Sequence, residues 1–162
     1  GDLNGDGNPD LAVADLISPI AGGPKNQMLP GHVSVLLGKG DGTFGARTEF
    51  PVNRGRSPHP GTSSSAVAIG DVTGDGKPDL AVTLTGASSA GRVAILRGKG
   101  NGSFAPPSSV PVGTQPVCSD AERRTGHCPR ASVALGRLNS DGRLDLAVTN
   151  FGTNRVSVML KR

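Results

Sequence analysis

An internal repeat is the feature that most limits what this chain of 162 residues can fold into. Residues 1–15 (GDLNGDGNPDLAVAD) are identical to residues 70–84 (GDVTGDGKPDLAVTL) at ten of fifteen positions, and to residues 136–150 (GRLNSDGRLDLAVTN) at nine. The copies are spaced by 69 and 66 residues. Repeats of this kind are structural units that cannot bury their apolar faces alone, so neighbouring units have to stack.

A second module alternates with the first. Residues 33–52 and 93–112 agree at nine of twenty positions, and residues 156–160 (VSVML) begin the module again. The apolar runs are short and are bounded by Gly, Pro, Asn and Asp, which is the pattern of β-strands. In the middle unit they predict four strands, at Ala66–Gly70, Leu80–Leu84, Arg92–Arg97 and Ser109–Val112.

The composition supports an all-β fold. Gly and Pro contribute 25 and 13 residues, and both disfavour the interior of a helix. The turns at Gly38–Gly42 and Gly98–Gly102 suit tight hairpins that need a positive φ. The sequence predicts a β-propeller of four-stranded antiparallel blades, present as an open arc of about two and a half to three blades. A parallel β-solenoid is the competing interpretation, but it prefers shorter periods.

Two motifs carry a resemblance to a known family. The Asp-rich turn is followed by Asp-Leu-Ala-Val in all three units, and residues 40–45 read Gly-Asp-Gly-Thr-Phe-Gly. These residues resemble the FG-GAP/VCBS family, the calcium-binding propeller blades related to the integrin α-subunit head. The resemblance implies an extracellular or cell-surface setting. We expect blade one at 1–52 without its first strand, a complete blade at 64–112, and blade three at 131–162 without its last strand.

The Asp-rich turns form three nine-residue loops, which we call loop one (2–10), loop two (71–79) and loop three (137–145). Side-chain oxygens at positions 1, 3, 5 and 9 and a glycine at position 6 suit Ca²⁺, which takes roughly six to eight oxygen ligands. The predicted Ca²⁺ ligands are Asp2, Asn4, Asp6, Asp10 and the carbonyl of Asn8 in loop one, and Asp71, Thr73, Asp75, Asp79 and the carbonyl of Lys77 in loop two.

Two other interpretations apply to Asp-rich loops of this kind. An EF-hand shares the opening pattern but needs a Glu at position 12, where this chain has Val13, Val82 and Val148. The loops could also be plain polar turns, since Asp, Asn and Gly favour turns in any protein. However, eight of the thirteen acidic residues lie in the three loops, and crowded carboxylates repel one another unless a cation neutralises them.

Loop three departs from the pattern because Arg137 occupies its first position. The candidate ligands that remain are Asn139, Asp141, Asp145 and the carbonyl of Arg143. A guanidinium at position 1 removes one ligand, and we expect it to pair with Asp141 or Asp145 as an internal counter-ion. The sequence therefore predicts weaker Ca²⁺ binding in loop three and leaves its occupancy open.

The two cysteines, Cys118 and Cys128, flank a polar segment that reads CSDAERRTGHC. In a protein of this type the pair predicts a disulfide and, with it, an oxidising compartment. A zinc site that uses His127 as a third ligand is the alternative. No fourth ligand lies nearby in the sequence, and the spacing fits no common zinc motif.

The sequence contains no HExxH, GxSxG or CxxC motif, and we expect no enzymatic activity. Its apolar runs fall far short of the ~20 residues of a membrane-spanning helix, and no Trp or Tyr offers a stacking platform for nucleic acid. The predicted function is a secreted or cell-surface calcium-binding module for adhesion, assembly or the binding of a protein or glycan ligand. The alternative is a carbohydrate-binding, lectin-like propeller appended to a secreted enzyme.

The incomplete end blades predict contacts from outside residues 1–162. These residues are either a segment of a longer propeller, which is favoured because both ends cut through a repeat, or they are covered by neighbouring copies. Under both interpretations we expect Leu11, Val13, Val156 and Val158 to be buried by other residues. The chain alone should then associate, or fold poorly, when it is examined by light scattering.

Overall fold

The computed structural model describes residues 1–15, 31–52, 63–85, 90–114, 131–150 and 154–161. Within these ranges the chain forms ten β-strands and no helix. The strands are β1 (Leu11–Asp15), β2 (His32–Leu36), β3 (Thr48–Pro51), β4 (Ser63–Gly70), β5 (Asp79–Thr85), β6 (Ala90–Leu96), β7 (Ser108–Thr114), β8 (Val133–Gly136), β9 (Asp145–Asn150) and β10 (Arg155–Met159). It follows that no helix of the described residues could span a membrane.

The ten strands are arranged in three antiparallel sheets within the described ranges. Sheet one has the order β1-β2-β3, sheet two the order β4-β5-β6-β7, and sheet three the order β10-β9-β8. All pairs join strands that are consecutive in the sequence, so each sheet is a meander. The all-β fold, as an open arc of blade-like sheets, is confirmed. The four strands predicted for the middle unit are all present, and all four are longer than the sequence indicated, although β6 ends at Leu96 and not at Arg97.

Each hairpin turn of the second module depends on glycine. Gly40 and Gly42 have φ of 80° and 85°, and Gly100 and Gly102 have φ of 77° and 75°. A side chain at such a φ is strained, so the repeated Gly-x-Gly supplies the conformation that the turn needs. The predicted positive φ values are therefore confirmed.

The sheets stack face to face, and two apolar clusters lie between them. The first cluster joins Leu3, Val33 and Val35 of the first repeat to Leu80, Val82 and Leu96 of sheet two. The second joins Val72, Val93 and Ile95 of the middle repeat to Val133, Leu146 and Val148 of sheet three. Burial of these Val, Leu and Ile side chains is the main favourable contribution to the stacking.

Polar and aromatic contacts reinforce the two interfaces. The rings of Phe50 and Phe104 meet edge to face across the first, with centroids 5.0 Å apart. In the second, the hydroxyl groups of Thr83 and Ser65 each donate a hydrogen bond to the carbonyl of Ala131, at 3.2 and 2.8 Å. These contacts hold the three sheets in a fixed order. The Asp-rich loops occupy equivalent positions, at the start of β1, β5 and β9.

Candidate metal centre

Loop one is wound around the carboxylate of its first residue. The main-chain N–H of Gly5 donates to Oδ1 of Asp2 at 2.7 Å, and that of Gly7 donates to Oδ2 at 2.9 Å. Gly5 and Gly7 have φ of 80° and 84°, which turns these amides towards the carboxylate. The hydrogen bonds, above all that of Gly7, lower the pKa of Asp2, so its carboxylate stays ionised at neutral pH.

The third and fifth positions of loop one continue the winding. The N–H of Asp6 donates to Oδ1 of Asn4 at 3.1 Å, and the N–H of Asn8 donates to Oδ1 of Asp6 at 2.8 Å. The Asn4 amide also donates to the second oxygen of Asp6, at 2.8 Å. The amide of Asn8 is the main cause of the lowered pKa of Asp6. Three alternate side chains of the loop, those of Asp2, Asn4 and Asp6, thus present oxygen atoms close to the surface.

Loop two has the same arrangement, although its sequence differs. The carboxylate of Asp71 accepts hydrogen bonds from the amides of Gly74, Asp75 and Gly76 at 2.6, 3.0 and 2.9 Å. The N–H of Lys77 donates to Oδ1 of Asp75 at 3.0 Å. Burial raises the pKa of Asp71, but the three amides and the positive charge of Lys161 together outweigh it, so the pKa is lowered overall.

The carboxylates at position 9 have a different environment from those at positions 1 and 5. Asp10, Asp79 and Asp145 are 2%, 0% and 0% exposed. In each residue, one carboxylate oxygen accepts an N–H from its own loop. The other oxygen accepts an N–H from a residue just after the end of β2, β6 or β10. The donors are Leu3 and Gly38 for Asp10, Thr73 and Gly98 for Asp79, and Leu138 and Lys161 for Asp145.

Position 9 therefore fastens each loop to the neighbouring hairpin. The six hydrogen bonds measure 2.7 to 2.9 Å, which is the short range expected for amides that donate to a carboxylate. Each oxygen retains a second lone pair, so the predicted role of Asp10 and Asp79 as closing ligands of a cation stays a prediction. This bracing role was not predicted from the sequence. Its signal there is the repeated Gly-Lys-Gly after β2 and β6, whose first glycine, Gly38 or Gly98, is the donor.

One polar atom of loop two bears directly on whether a cation fits. The hydroxyl oxygen of Thr73 is buried and has no hydrogen-bond partner among the described residues. Thr73 occupies position 3, the place where Asn4 presents its oxygen in loop one. A buried hydroxyl without a partner is costly, and a cation held in the loop would satisfy it. The donor set of ionised carboxylates, a hydroxyl and main-chain carbonyls is the set that Ca²⁺ prefers.

The carbonyls at position 7 are available to such a cation. None of the hydrogen bonds found among the described residues engages the carbonyl oxygen of Asn8, Lys77 or Arg143. Across the same residues, no three acidic, histidine or cysteine side chains converge as a metal-binding group. A cation in these loops would therefore depend on the mixed set of carboxylate, amide, hydroxyl and carbonyl oxygens.

Loop three keeps part of the arrangement. The N–H of Asp141 donates to Asn139 and the N–H of Arg143 donates to Asp141, at 3.0 and 2.9 Å. The predicted ion pair of Arg137 with Asp141 or Asp145 is wrong: Arg137 is exposed and forms no salt bridge in the described part of the chain. Asp145 is buried, and two amides already occupy its oxygens.

Several predicted features lie outside the described residues. These are the disulfide of Cys118 with Cys128 and the alternative role of His127 as a zinc ligand.

Three stacked antiparallel sheets, each with an Asp-rich loop or its variant at the start of one strand, define a repeat protein of the β-propeller class. The family model for the FG-GAP-like repeat matches residues 2–82 and 71–148. These matches cover most of the chain, and the chain belongs to the FG-GAP-like repeat family. No curated protein gives a significant match to it.

Proposed function

We propose that this protein is a calcium-stabilised interaction module that works outside the cell and carries out no catalysis. Its membership of a family of propeller repeats supports a module of this class. The observation that carries the calcium part is the common winding of loops one and two. In both, the carboxylate at position 1 accepts amides from positions 4 and 6, and that at position 5 accepts the amide of position 7.

The residues of each loop would divide the task between them. Asp2 and Asp6, or Asp71 and Asp75, supply the negative charge, and Asn4 or Thr73 adds a neutral oxygen. Bound Ca²⁺ would supply the positive charge that offsets repulsion among these carboxylates. The main-chain amides hold the side chains in place beforehand, so little conformational freedom remains to be lost on binding.

Calcium content and thermal melting test this proposal. Purified protein should contain close to two Ca²⁺ per chain by inductively coupled plasma analysis, and EDTA should lower the melting temperature. A ligand that binds only the folded state stabilises it by about 2.7 kcal/mol when its concentration is 100 times the dissociation constant. Protein without calcium, with a melt that EDTA leaves unchanged, would refute the calcium proposal.

A pair of variants locates the ions. Asp75→Ala removes an exposed carboxylate of loop two and should cost one Ca²⁺ per chain. Asp41→Ala is the matched control, because Asp41 is an exposed aspartate in a glycine-rich turn outside the three loops. The control should retain the calcium content of the unaltered protein. Equal losses in both variants would contradict the assignment to loop two.

A binding screen tests the interaction part of the proposal. The proposed ligand is a protein or a glycan outside the cell. The protein is therefore tested for binding to a glycan array and to extracellular matrix proteins. Calcium-dependent binding to a protein, with a blank glycan array, is the expected result. Specific binding to one sugar would instead support the lectin-like alternative.

A further inference from the structure

Loops one and two carry the same aspartates in different charged surroundings. Both have an aspartate at positions 1, 5 and 9. Two places of the repeat that flank the loops differ in charge. The first is the residue directly after β2 or β6 in the same sheet, which is Leu37 for loop one and Arg97 for loop two. The second is the residue two positions after the matching strand of the next sheet, which is Gly98 for loop one and Lys161 for loop two.

Arg97 brings a positive charge to loop two from within its own sheet. Its guanidinium lies 4.0 Å from Oδ2 of Asp75, at position 5 of the loop. The main chain at this place is the same in both repeats, because the carbonyl of Arg97 accepts the N–H of Ala105 at 2.8 Å and that of Leu37 accepts the N–H of Gly45 at 2.7 Å. The side chain of Leu37 packs instead against the first apolar cluster. The two loops thus differ here in charge and not in backbone.

Lys161 reaches loop two from sheet three. Its main-chain N–H donates to the buried carboxylate of Asp145 at 2.9 Å, which fixes its backbone. A Cβ built on Gly74 would lie 3.4 Å from Nζ of Lys161, so the ammonium lies against position 4 of the loop. Burial raises the pKa of Asp71, whereas three amides and the charge of Lys161 lower it. The ammonium therefore acts on the carboxylate at position 1 of loop two.

Position 4 of loop one has a neighbour of the opposite polarity. The glycine turn of sheet two lies beside this loop, and the N–H of Gly102 donates to the carbonyl of Leu3 at 3.0 Å. A Cβ built on Gly5 would lie 3.8 Å from the carbonyl oxygen of Gly100. Among the described residues, no salt bridge involves an aspartate of loop one. Loop one therefore has a main-chain carbonyl where loop two has an ammonium.

We propose that Arg97 and Lys161 are counter-ions of loop two, so that loop two binds Ca²⁺ more weakly than loop one and the two sites fill in order. This inference rests on the proposed calcium binding of both loops. A positive side chain beside the carboxylates supplies part of the charge that Ca²⁺ would supply, and it repels the ion. A unit charge about 6 Å from a divalent cation lowers its affinity by about tenfold in the dielectric of water, and by less in salt.

Calorimetric titration of the calcium-free chain with Ca²⁺ tests the proposal. The unaltered protein should show a tight and a weak site, with dissociation constants that differ by about tenfold or more. Arg97→Leu gives loop two the residue that loop one has, and Lys161→Met removes the charge but keeps the aliphatic chain. Each should tighten the weak site by about three- to tenfold and leave the tight site unchanged.

Salt and a matched control separate charge from structure. The tightening should shrink as the salt concentration rises from about 0.02 M to about 0.5 M, because exposed charges are screened, whereas a structural effect would persist. Arg92→Gln is the control, since Arg92 is an exposed arginine on β6, five residues before Arg97, and donates to Ser109. The control should leave both dissociation constants unchanged.

Two further variants assign the sites. Asp75→Ala should abolish the weak site, and Asp6→Ala the tight one. Equal dissociation constants in the unaltered protein would overturn the counter-ion proposal and leave calcium binding intact. So would a weak site that neither Arg97→Leu nor Lys161→Met tightens, each variant being checked for folding by circular dichroism. An unaltered protein that binds no Ca²⁺ would instead refute the proposed function, and the counter-ion proposal with it.

Discussion

The carboxylate of Asp10 accepts a hydrogen bond from the main-chain N–H of Gly38 at 2.7 Å, across 28 residues of sequence. The same contact joins Asp79 to Gly98 at 2.8 Å. Because each carboxylate also accepts an amide of its own loop, it ties the loop to the hairpin that follows it. The last residue of each Asp-rich loop therefore stabilises the fold, whether or not the loop binds a cation.

Removal of this buried carboxylate should destabilise the protein even without calcium. Asp79→Ala leaves the amides of Thr73 and Gly98 without their acceptor, and an unsatisfied buried group costs roughly 1–3 kcal/mol. We expect a loss of about 2–5 kcal/mol in the free energy of unfolding, measured by urea denaturation in EDTA. Asp41→Ala serves as the exposed control and should cost about 1 kcal/mol or less, since Asp41 loses only exposed hydrogen bonds from Thr43. Similar small losses in both variants would contradict the bracing role.

Gly98 should tolerate no side chain. A Cβ at this position would lie 1.9 Å from the carbonyl oxygen of Pro78, a main-chain atom that cannot move alone. We expect Gly98→Ala to cost about 3 kcal/mol or more, at the upper end of overpacking effects. Gly45→Ala is the control, because its Cβ would come no closer than 3.6 Å to another atom, the carbonyl oxygen of Leu37. Equal melting temperatures for Gly98→Ala and Gly45→Ala would contradict the close contact of Gly98 with the carbonyl oxygen of Pro78.

The exposed carboxylates of the loops should make stability depend on pH. The pKa of Asp2 is lowered in the folded state from 3.8, mainly by the amide of Gly7. A lowered folded pKa contributes stability that is present above the unfolded value and is lost as the pH falls through the folded value. In EDTA, we expect the free energy of unfolding to fall below about pH 4, and to fall less steeply in Asp2→Asn. Identical slopes would contradict this contribution.

The cysteine pair remains a prediction from the sequence. Under non-reducing conditions, peptide mass analysis should find Cys118 and Cys128 in one linked species, lighter than the reduced peptides by two hydrogens. A disulfide across so short a segment would contribute roughly 2–3 kcal/mol to stability in the entropic account. Two free thiols in the denatured protein would contradict the disulfide and would reopen the zinc alternative.

Local features of this fold could be read from the sequence because they depend on neighbouring residues. The Gly-x-Gly of each hairpin needs a positive φ, and Gly40 and Gly100 have it. The strands follow the short apolar runs, as at Asp79–Thr85, where Leu80–Leu84 was predicted. The pairing of Arg137 with an acidic residue of its loop was wrong, since sequence proximity does not show that Arg137 is exposed while Asp145 is buried.

The sequence by itself determined the repeat, the strands and the residues of the Asp-rich loops, because turn geometry and alternation act over a few residues. Only the tertiary structure decided what the buried carboxylates brace and which apolar faces are covered. Leu80 and Leu11 occupy the same position of the repeat, yet Leu80 is 0% exposed and Leu11 is 45% exposed. The physical reason is that burial depends on the sheet that lies opposite, and identical local sequences carry no information about that neighbour.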